Sequence, residues 1–505
     1  MPGILKNHKR IILSLFAFML CFAMMTGCGK KSDDSKPLSD INKGNAMTGI
    51  SCHDPQIILA DGTYYMTGSH QVLALSNDLL NWDYINKEGG TNMFSNIYDG
   101  DMPAFSFVGK NDQGGYSVWA SNIVYNENLD KYLMYFCTSS TYIKSTLALA
   151  VSDTPEGPYE YTETLLYSGF EKSNVDQTNI YDVLGDDADI ERYFKYGGYN
   201  NDKWPNCIDP ALVTDKDGKQ WMVYGSWSGG LFMLEIDRET GLPVHPEDDE
   251  ENGVDSYFGY HLIGGGHHAC EGPYITYSEE SGYYYLFASF GTLTREGGYQ
   301  IRQFRSENIT GPYLDAAGNL MEDQEDYTSY GLKMMGNYML PSLETGYMAP
   351  GGQSVFTGAD GDTYIVYHQR FDQGSEYHEP RVHKIFLNED GWYVAAPFSY
   401  NGESLSDKGY KVSDITGTFY VLDHGRDVGN VIHSAVGCKF ENGTITGEYQ
   451  GTYTVTEGTC YITITIDGNE YSGIIVEMTD EAGNDTICIT AAGHDNKSIW
   501  AVKYK

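Results

Sequence analysis

Three carboxylates stand at the start of apolar, strand-like segments in distant parts of the chain: Asp54, Asp209 and Glu271. Such groups could hydrolyse a glycosidic bond by inversion, which needs a base to activate water and an acid to protonate the leaving oxygen, about 6.5–9.5 Å apart. A third carboxylate nearby would raise the pKa of the acid and help to orient it. Any single Asp at a strand start more often caps a turn. The common place of these three in a repeated pattern favours the chemical role.

An internal repeat places the three carboxylates. Each repeat opens with a polar residue and an apolar strand, turns, and returns as an aromatic-rich strand. The repeats span residues 54–69, 122–136, 209–226, 271–289 and 353–368, and three of them turn at Asp-Gly, a strong hairpin signal. Five such hairpins predict a five-bladed β-propeller, in which the first strand of each blade lines a central channel. A two-sheet sandwich, the alternative, would not need a polar residue at the same place in every repeat.

The composition and the strand pattern of the C-terminal residues predict an all-β chain of two domains. The 505 residues include 42 Tyr and 58 Gly, which suits many short strands joined by tight turns. From about Asn401 the repeat gives way to short alternating strands, which predict a small barrel or sandwich. We therefore expect a propeller over residues 47–400 and a C-terminal β-domain over residues 401–505.

Hydroxyl and aromatic side chains near the carboxylates are candidates for binding a sugar. Ser226 and Trp227 follow the returning strand of the third repeat, and Phe290 follows that of the fourth. Rings that stack on a sugar and hydroxyls that hydrogen-bond to it are typical of such sites. Ordinary packing between blades is the alternative explanation for the two aromatic residues.

The N-terminus predicts export and a lipid anchor. Lys6, Lys9 and Arg10 precede an apolar stretch at residues 11–25 that is short for a membrane span. MTGC at residues 25–28 resembles a bacterial lipobox, which implies a signal peptide over residues 1–27, lipidation of Cys28, and a flexible tether over residues 28–46. The alternative is an ordinary cleaved signal peptide, and both place the protein outside the cytoplasm.

The formal net charge of −38 argues against a nucleic-acid partner.

The remaining cysteines and histidines give little indication of a metal site. An odd number of cysteines without a CxxC pair predicts buried free thiols at seven positions: Cys52, Cys137, Cys207, Cys270, Cys438, Cys460 and Cys488. His267, His268 and Cys270 could bind a metal, but their position beside Glu271 favours a loop that lines the cleft. HEPRVH at residues 378–383 lacks the spacing of a zinc-protease helix, which its proline would also break.

At these residues the chain resembles glycoside hydrolase family 43 and, within it, the endo-arabinanases. The similarity runs from about Ile50 to Pro397 and is most specific in HDP at 53–55, IDPAL at 208–212, WMVYGS at 221–226 and EGPY at 271–274. The resemblance implies that Asp54 is the general base, Glu271 the general acid and Asp209 the modulator of the acid's pKa. It implies an inverting hydrolase that acts on arabinan, the α-1,5-linked L-arabinofuranose polymer. The C-terminal domain resembles the small β-domain of the longer arabinanases.

Two segments depart from the family pattern. WASN at residues 119–122 stands where the family often has WAPD; this segment is expected to touch sugar, so Trp119 and Asn122 are candidate substrate-binding residues. GGQS at residues 351–354 stands where many arabinanases have GHNS, whose His helps to hold a calcium ion on the axis. The implied chemistry requires no cofactor, and the sequence leaves open whether a structural Ca²⁺ binds there.

Two other functions stay open from the sequence. An exo-acting α-L-arabinofuranosidase or β-xylosidase of the same family would need a loop that closes the groove. A non-catalytic, surface carbohydrate-binding lipoprotein would be expected to have lost an axial carboxylate, and all three are present. The oligomeric state does not follow from the sequence.

Overall fold

The computed structural model describes residues 33–322 and 326–505 and consists mainly of β-strands. Five antiparallel sheets form the blades of a propeller, and eight further strands form a closed barrel. The predicted all-β chain with a five-bladed propeller is therefore confirmed, and the C-terminal strands form a barrel rather than a sandwich. The predicted signal peptide and Cys28 lie outside the described residues.

Each blade has four main strands that pair in chain order. In the first blade they are Gln56–Ala60, Thr63–Gly68, Val72–Ser76 and Asp83–Asn86, and in the second Ser117–Asn126, Lys131–Thr141, Lys144–Ser152 and Glu160–Ser168. The third has Ala211–Thr214, Gln220–Tyr224, Leu231–Ile236 and Gly259–Ile263, flanked by Pro243–Val244 and Val254–Asp255. The fourth has Cys270–Tyr277, Tyr284–Phe290, Gln300–Ser306 and Leu332–Met335. The fifth has Tyr347–Thr357, Thr363–Phe371, His378–Leu387 and Tyr393–Ala395.

Short elements connect the blades. A two-stranded hairpin, Phe194–Lys195 and Gly198–Tyr199, follows the α-helix Ile180–Leu184. The 3₁₀ helices are Leu38–Asp40, Ser69–Gln71, Pro103–Phe105, Val175–Gln177, Glu191–Tyr193, Glu250–Asn252, Tyr327–Ser329 and Val412–Asp414. Within residues 33–322 and 326–505, every helix is too short or too polar to cross a membrane.

A two-residue Asp-Gly turn fixes the strand register in the first of the predicted hairpins, whereas the Asp-Gly pairs of the third and fifth blades lie within five-residue loops. In the first blade Ala60 pairs with Thr63, and the two residues between them, Asp61 and Gly62, have φ values of 49° and 79°. Positive φ at both central residues is the type I′ geometry, whose twist matches that of the flanking strands. The same turn recurs at residues 467–468 of the barrel.

Hydrogen bonds between neighbouring blades run around the whole ring near its axis. Most of these bonds join a polar side chain on one blade to a backbone group on the next, which ties the inner strands together where the channel begins. In order around the ring they join Ile123 N to Gln56 Oε1 (3.1 Å), Leu212 N to Asn122 Oδ1 (3.3 Å), Trp227 N to Cys270 O (2.9 Å), Gln353 Nε2 to Gly272 O (2.7 Å) and Ser354 Oγ to Pro55 O (2.9 Å).

The barrel packs on the propeller through a shared hydrophobic core. Its strands are Gly417–Asp423, Val436–Glu441, Thr444–Gly447, Gly451–Val455, Tyr461–Ile466, Asn469–Thr479, Asp485–Gly493 and Ser498–Tyr504. One core cluster continues from the fourth and fifth blades into the barrel, for example from Tyr338 to Trp500, whose rings lie 5.0 Å apart. The short strand His433–Ser434 leaves the barrel and pairs in parallel with Tyr338–Met339, which extends the sheet of the fifth blade.

The segment before the propeller is bound rather than free over most of its described length. Lys36 N donates to Tyr504 O (2.9 Å) and Asn42 N to Asn484 Oδ1 (3.0 Å), both in the barrel. Ile41 is buried in the shared core. Residues 36–46, which the sequence assigned to a flexible tether, therefore gain backbone hydrogen bonds and apolar burial.

Candidate active site

Five short segments, one from each blade, line the channel: residues 54–56, 120–122, 209–211, 272–274 and 352–354. The first residue of every segment has a left-handed backbone. The φ values are 51° at Asp54, 40° at Ala120, 57° at Asp209, 58° at Gly272 and 58° at Gly352. The ring thus imposes the same left-handed conformation five times, and it is strained at the three positions that are not glycine.

Glu271 does not occupy the same position as the two aspartates. Asp54 and Asp209 are the left-handed residues of their blades, whereas Glu271 comes one residue before Gly272. In the fourth blade Glu271 pairs with Ser289 and a β-bulge follows, so that the next pair is Tyr274 with Phe287. The sequence repeat predicted one shared place for all three carboxylates, and the bulge is the reason for the offset, because it turns the strand and redirects its side chains.

Hydrogen bonds stabilise Asp54 as a carboxylate. His53 Nδ1 lies 2.7 Å from Asp54 Oδ2, and Ser69 Oγ donates to the same oxygen at 2.6 Å. Burial, the largest influence, raises the pKa of Asp54, but His53 and the hydrogen bonds from His53 and Ser69 outweigh it. The net pKa of Asp54 is lowered, so this group is ionised at neutral pH.

The other two carboxyls are pushed towards the protonated state. Burial first, and then the negative charges of Glu271 and Asp54, raise the pKa of Asp209 well above its usual value. Burial also raises the pKa of Glu271, against hydrogen bonds from Ser226 and Tyr299, and the charge of Asp54 adds to the rise. Ser226 Oγ donates to Glu271 Oε2 at 2.7 Å. The site therefore combines a carboxylate whose pKa is lowered with a carboxyl whose pKa is raised, the directions that acid–base hydrolysis requires.

The five predicted sugar-binding residues lie in different environments. Ser226 is bonded to Glu271, and Trp227 stands beside it on a left-handed backbone with its ring near Tyr142. Asn122 lines the channel, with its side-chain oxygen bonded to the third blade. Trp119 is partly exposed and packs on His70, with ring centroids 4.5 Å apart. Phe290 is fully buried against Phe304 and Tyr327, inside the fourth blade.

Four residues around the carboxylates were missed by sequence reasoning: His53, Ser69, Tyr299 and His368. The rings of His53 and His368 stack at 3.9 Å, and Tyr299 stacks on the other face of this pair, 5.6 Å from His368. Tyr299 is close enough to Glu271 to lower the pKa of that carboxyl. Only His53 carried a local signal, as the neighbour of Asp54; Ser69 follows the second strand of the same blade, and Tyr299 and His368 belong to the fourth and fifth blades.

One group among the described residues has the spacing to hold a metal ion. It comprises His53, Asp54 and His368, whose ligand atoms lie within 4.8 Å of one another. Calcium takes six to eight oxygen ligands, whereas imidazole nitrogens suit transition metals. With one carboxylate and two imidazoles, these residues do not by themselves fit the axial Ca²⁺ that the sequence left open. No step of the chemistry below passes through a metal.

The other cluster considered from the sequence does not converge on one point. His267 Nε2 lies 2.9 Å from the hydroxyl of Tyr142 at the mouth of the channel, and His268 stacks on Tyr327. Cys270 is a buried free thiol, as are the other six cysteines of the described residues. His267 thus belongs to a loop at the cleft, as the sequence favoured.

Comparison with known proteins finds relatives of one family over about nine-tenths of the chain. The profile of "Glycosyl hydrolases family 43" matches residues 165–393, and that of a "C-terminal lipocalin-like domain" matches residues 397–501. Extracellular endo-α-(1→5)-L-arabinanase 2 of Bacillus subtilis (strain 168) is 34% identical over 472 residues, which cover 90% of this chain and 93% of the relative. The extracellular endo-α-(1→5)-L-arabinanase of Thermotoga petrophila is 35% identical over 472 residues, with coverage of 89% and 93%.

Two crystal structures show the same arrangement of both domains. The family 43 protein YxiA of Bacillus licheniformis superposes with a TM-score of 0.78 at 36% identity, covering 90% of this chain and 98% of that one. The endo-1,5-α-L-arabinanase of Thermotoga petrophila in complex with Tris has a TM-score of 0.78 at 34% identity, with coverage of 90% and 99%.

Proposed function

This chain belongs to glycoside hydrolase family 43, and we propose that it is an extracellular endo-arabinanase that cleaves α-1,5-L-arabinofuranosidic bonds with inversion. One observation carries the proposal: three carboxyls lie close enough to influence one another, and their surroundings shift the pKa of Asp54 down and those of Asp209 and Glu271 up. A binding protein would have no need of carboxyls whose pKa values are shifted in opposite directions, whereas an inverting hydrolase depends on them.

In the proposed mechanism Asp54 is the general base. It removes a proton from a water molecule, which attacks the anomeric carbon from the face opposite the leaving group. Glu271 is the general acid and gives its proton to the leaving glycosidic oxygen. Asp209 is the proposed modulator of the acid: a negative charge on Glu271 raises the pKa of Asp209, so the two carboxyls disfavour each other's ionisation, and Asp209 Oδ2 accepts from Gly272 N at 3.2 Å, beside Glu271.

The substrate assignment draws on relatives that match both domains. Each of the two endo-arabinanases is matched over 93% of its length, so the similarity extends beyond the catalytic channel into the C-terminal domain. A neutral polymer also suits a protein with a formal charge of −38, which would repel polyanionic glycans. Trp227, with Tyr142 beside it, offers aromatic surface at the mouth of the channel on which a furanose can stack.

The proposed location is the outer surface of a bacterial membrane, with Cys28 lipidated after removal of residues 1–27. The two relatives described as extracellular support export. The chain is bonded to the barrel from Asp34 onwards, so the proposed anchor at Cys28 lies six positions before the first barrel contact. A fully extended chain between these two residues would span about 21 Å. We place the domain division at residues 400 and 401.

Digestion of linear α-1,5-arabinan tests the proposed function. The purified mature protein should first release oligosaccharides of mixed length, and proton NMR of the earliest products should show an inverted anomeric centre. Arabinose as the sole early product would instead assign an exo-acting enzyme of the same family. If arabinan, arabinoxylan and xylan all stay intact, the protein is a carbohydrate-binding lipoprotein and the proposal is wrong.

A further inference from the structure

A second cavity lies in the third blade, outside the catalytic channel. Its volume is about 770 Å³, whereas the space between the five inner segments is about 40 Å³. Its walls come from residues 192–204 before the blade, from residues 248–255 in the connection between its third and fourth main strands, and from Gly264 and Gly265. Sites for small organic ligands have volumes of about 300–1,000 Å³. This cavity, which we call the third-blade pocket, is therefore large enough to hold a small sugar.

Ion pairs join two walls of the third-blade pocket. Arg192 Nη1 lies 2.6 Å from Asp248 Oδ2, and Arg192 Nη2 lies 3.1 Å from Asp255 Oδ2. Lys203 Nζ lies 3.1 Å from Glu250 Oε1. Each of these pairs connects the segment before the blade with the long connection inside it. The pocket is therefore formed before a ligand arrives, and binding does not have to order its walls.

The lining combines aromatic surface with polar atoms that are left for a ligand. Trp204 and Phe232 are buried and form part of the pocket wall. Arg192 Nε and Asn200 Oδ1 are also buried, and neither has a hydrogen-bond partner among the described residues. An unpaired donor and an unpaired acceptor cost free energy in a buried wall. A ligand hydroxyl can both accept and donate, so a hydroxyl-rich ligand can satisfy both atoms.

The charges of the lining favour a neutral ligand. Five carboxylates of the described chain line the pocket: Asp202, Asp248, Glu250, Asp255 and Glu322. The three cationic side chains, Arg192, Lys195 and Lys203, are each paired with one of these carboxylates. An anion would consequently meet a surplus of negative charge. Three converging metal ligands occur within residues 33–322 and 326–505 only beside the channel, which leaves a neutral polyhydroxylated molecule as the class that fits.

A single loop separates the third-blade pocket from the mouth of the channel. The first two of three successive glycines, residues 264–266, line the pocket. The next residue, His267, lies 2.9 Å from the hydroxyl of Tyr142 at the mouth, and its ring is 5.6 Å from that of Trp227. The glycines have φ values of 87°, 130° and 59°, and no side chain thickens this wall. A sugar chain that leaves the cleft beside Trp227 thus has one loop to pass before it reaches the pocket.

We propose that the third-blade pocket is a second carbohydrate-binding site, which holds an arabinofuranose unit of arabinan while another part of the polymer lies in the channel. The identity of the sugar rests on the proposed function. Two sources supply such a unit: a branch of the chain that lies in the channel, and a separate stretch of polymer. In both cases the pocket strengthens binding of the polymer without touching the bond that is cut.

Counting bound oligosaccharides tests the second site. The full mature protein carrying Glu271→Gln, which prevents rapid cleavage, should bind α-1,5-arabinotriose in the channel and in the pocket in equilibrium dialysis. Val254→Trp in this background should lose one bound molecule, because Val254 lines the pocket and the larger ring fills it. The matched control Val244→Trp changes an exposed residue of the same connection that does not line the pocket, and it should keep both molecules. One bound molecule before Val254→Trp, or an unchanged number after it, would overturn the proposal.

A smaller change serves if Val254→Trp does not fold. Asn200→Ala removes the unpaired side-chain oxygen and should weaken the second binding event about fivefold, the scale of one lost hydrogen bond. The affinity of the channel should stay unchanged. Two binding events of unaltered affinity in Asn200→Ala would count against the pocket.

Kinetics on two polymers identify the source of the bound unit. If the pocket holds a branch, Val254→Trp should raise KM about fivefold on arabinan that carries single arabinofuranose branches and leave KM on linear α-1,5-arabinan unchanged. An equal rise on both polymers would assign the pocket to a separate stretch of chain. In both cases kcat should change less than about twofold, since the channel is untouched. An unchanged KM on both polymers would refute a role of the pocket in polymer binding.

The second site and the proposed function fail separately. Binding of arabinotriose at two sites by a protein that cuts no arabinan would support the pocket and refute the proposed enzyme. Cleavage of arabinan by a protein whose Glu271→Gln variant binds a single arabinotriose would refute the pocket alone.

Discussion

At the scale of single residues, the three carboxyls differ because their neighbours differ. Asp54 receives two hydrogen-bond donors, from His53 and Ser69, and these stabilise its charge. Burial raises the pKa of Glu271 more than its hydrogen bonds lower it, and the negative charge of Asp54 adds to the rise. Burial alone would raise the pKa of Asp54 as well, so the hydrogen bonds decide which carboxyl acts as the base.

Substitution of each proposed catalytic carboxyl should therefore give a different pattern. Glu271→Gln should lower kcat on arabinan at least about a hundredfold, and a substrate with a good leaving group should restore much of the loss. Asp54→Asn should be equally slow on both substrates, because water activation is still missing. Steady-state kinetics on arabinan and on an aryl arabino-oligosaccharide make the comparison, with circular dichroism as the control for folding. Identical behaviour of the two variants would contradict the assignment of roles.

Ser69 sets the acid limb of the pH–rate profile. Its hydroxyl stabilises the charged form of Asp54, so Ser69→Ala should raise the pKa of that carboxyl. A base must be ionised, and the acid limb of kcat/KM should consequently move to higher pH. Ser76→Ala is the control, because it removes a hydroxyl from the same blade that bonds to Asp78, away from the channel. The acid limb of its pH–rate profile should stay in place. A limb that does not move in Ser69→Ala would show that this bond does not tune the base.

At the scale of elements, the start of each inner strand decides where the chemistry lies. The left-handed residue points into the channel in all five blades, and in the fifth blade it is Gly352. A Cβ atom there would come within 2.2 Å of Asp54 Oδ1 and 2.9 Å of His368 Nδ1. The fifth blade thus leaves room for the base by having no side chain at this position.

Gly352→Ala should displace the carboxylate of Asp54 and lower kcat at least about tenfold, because small displacements of a catalytic group are costly. Gly361→Ala is a matched control: it lies in the same blade with a φ of 85°, but a Cβ atom there meets nothing within 4 Å. Both variants should lose about 1 kcal/mol of stability through the left-handed backbone, and thermal unfolding should show a larger loss for Gly352→Ala, whose Cβ atom also meets Asp54 and His368. Equal activity of the two variants would show that the space beside Asp54 is not critical.

At the scale of the whole molecule, the barrel is attached to the propeller at several separated points. Glu481 at a barrel turn accepts from Ala46 N at 3.2 Å and from Ser399 Oγ at 2.8 Å. This one side chain thereby contacts both the start and the end of the propeller chain. The chain before the propeller runs along the barrel. In the proposed anchored protein the barrel therefore lies nearest to the membrane, and the propeller faces outwards.

Loss of the proposed anchor should change location without changing chemistry. Cys28→Ala should move the protein from the membrane fraction to the medium, because no acyl chains would then hold it. Its turnover of arabinan should equal that of the wild type, since the catalytic channel is formed by the propeller. Cell fractionation with immunoblotting checks the location, and labelling with a palmitate analogue checks the modification. Retention of Cys28→Ala in the membrane would contradict lipidation at this residue.

The sequence by itself determined the blades, the channel-facing carboxylates and the two-domain plan, because these depend on local patterns. Strand alternation and Asp-Gly turns act over a few residues, and a repeat makes them visible five times. The sequence could also assign Trp227 and His267 to the cleft, because each lies within a few residues of a family motif. Phe290 was harder to judge, because nothing local distinguishes a ring that faces sugar from one that packs inside a blade.

Only the tertiary structure decided what surrounds each carboxyl. The bulge that offsets Glu271 from the aspartates depends on pairing between strands, and Ser69, Tyr299 and His368 reach the channel from other parts of the fold. The bond from Gln300 to Asp427 joins residues 127 positions apart. Such contacts carry no local signal, because the free energy that forms them comes from the packing of whole blades and of the barrel on them. The protonation states that assign base and acid are therefore properties of the folded chain.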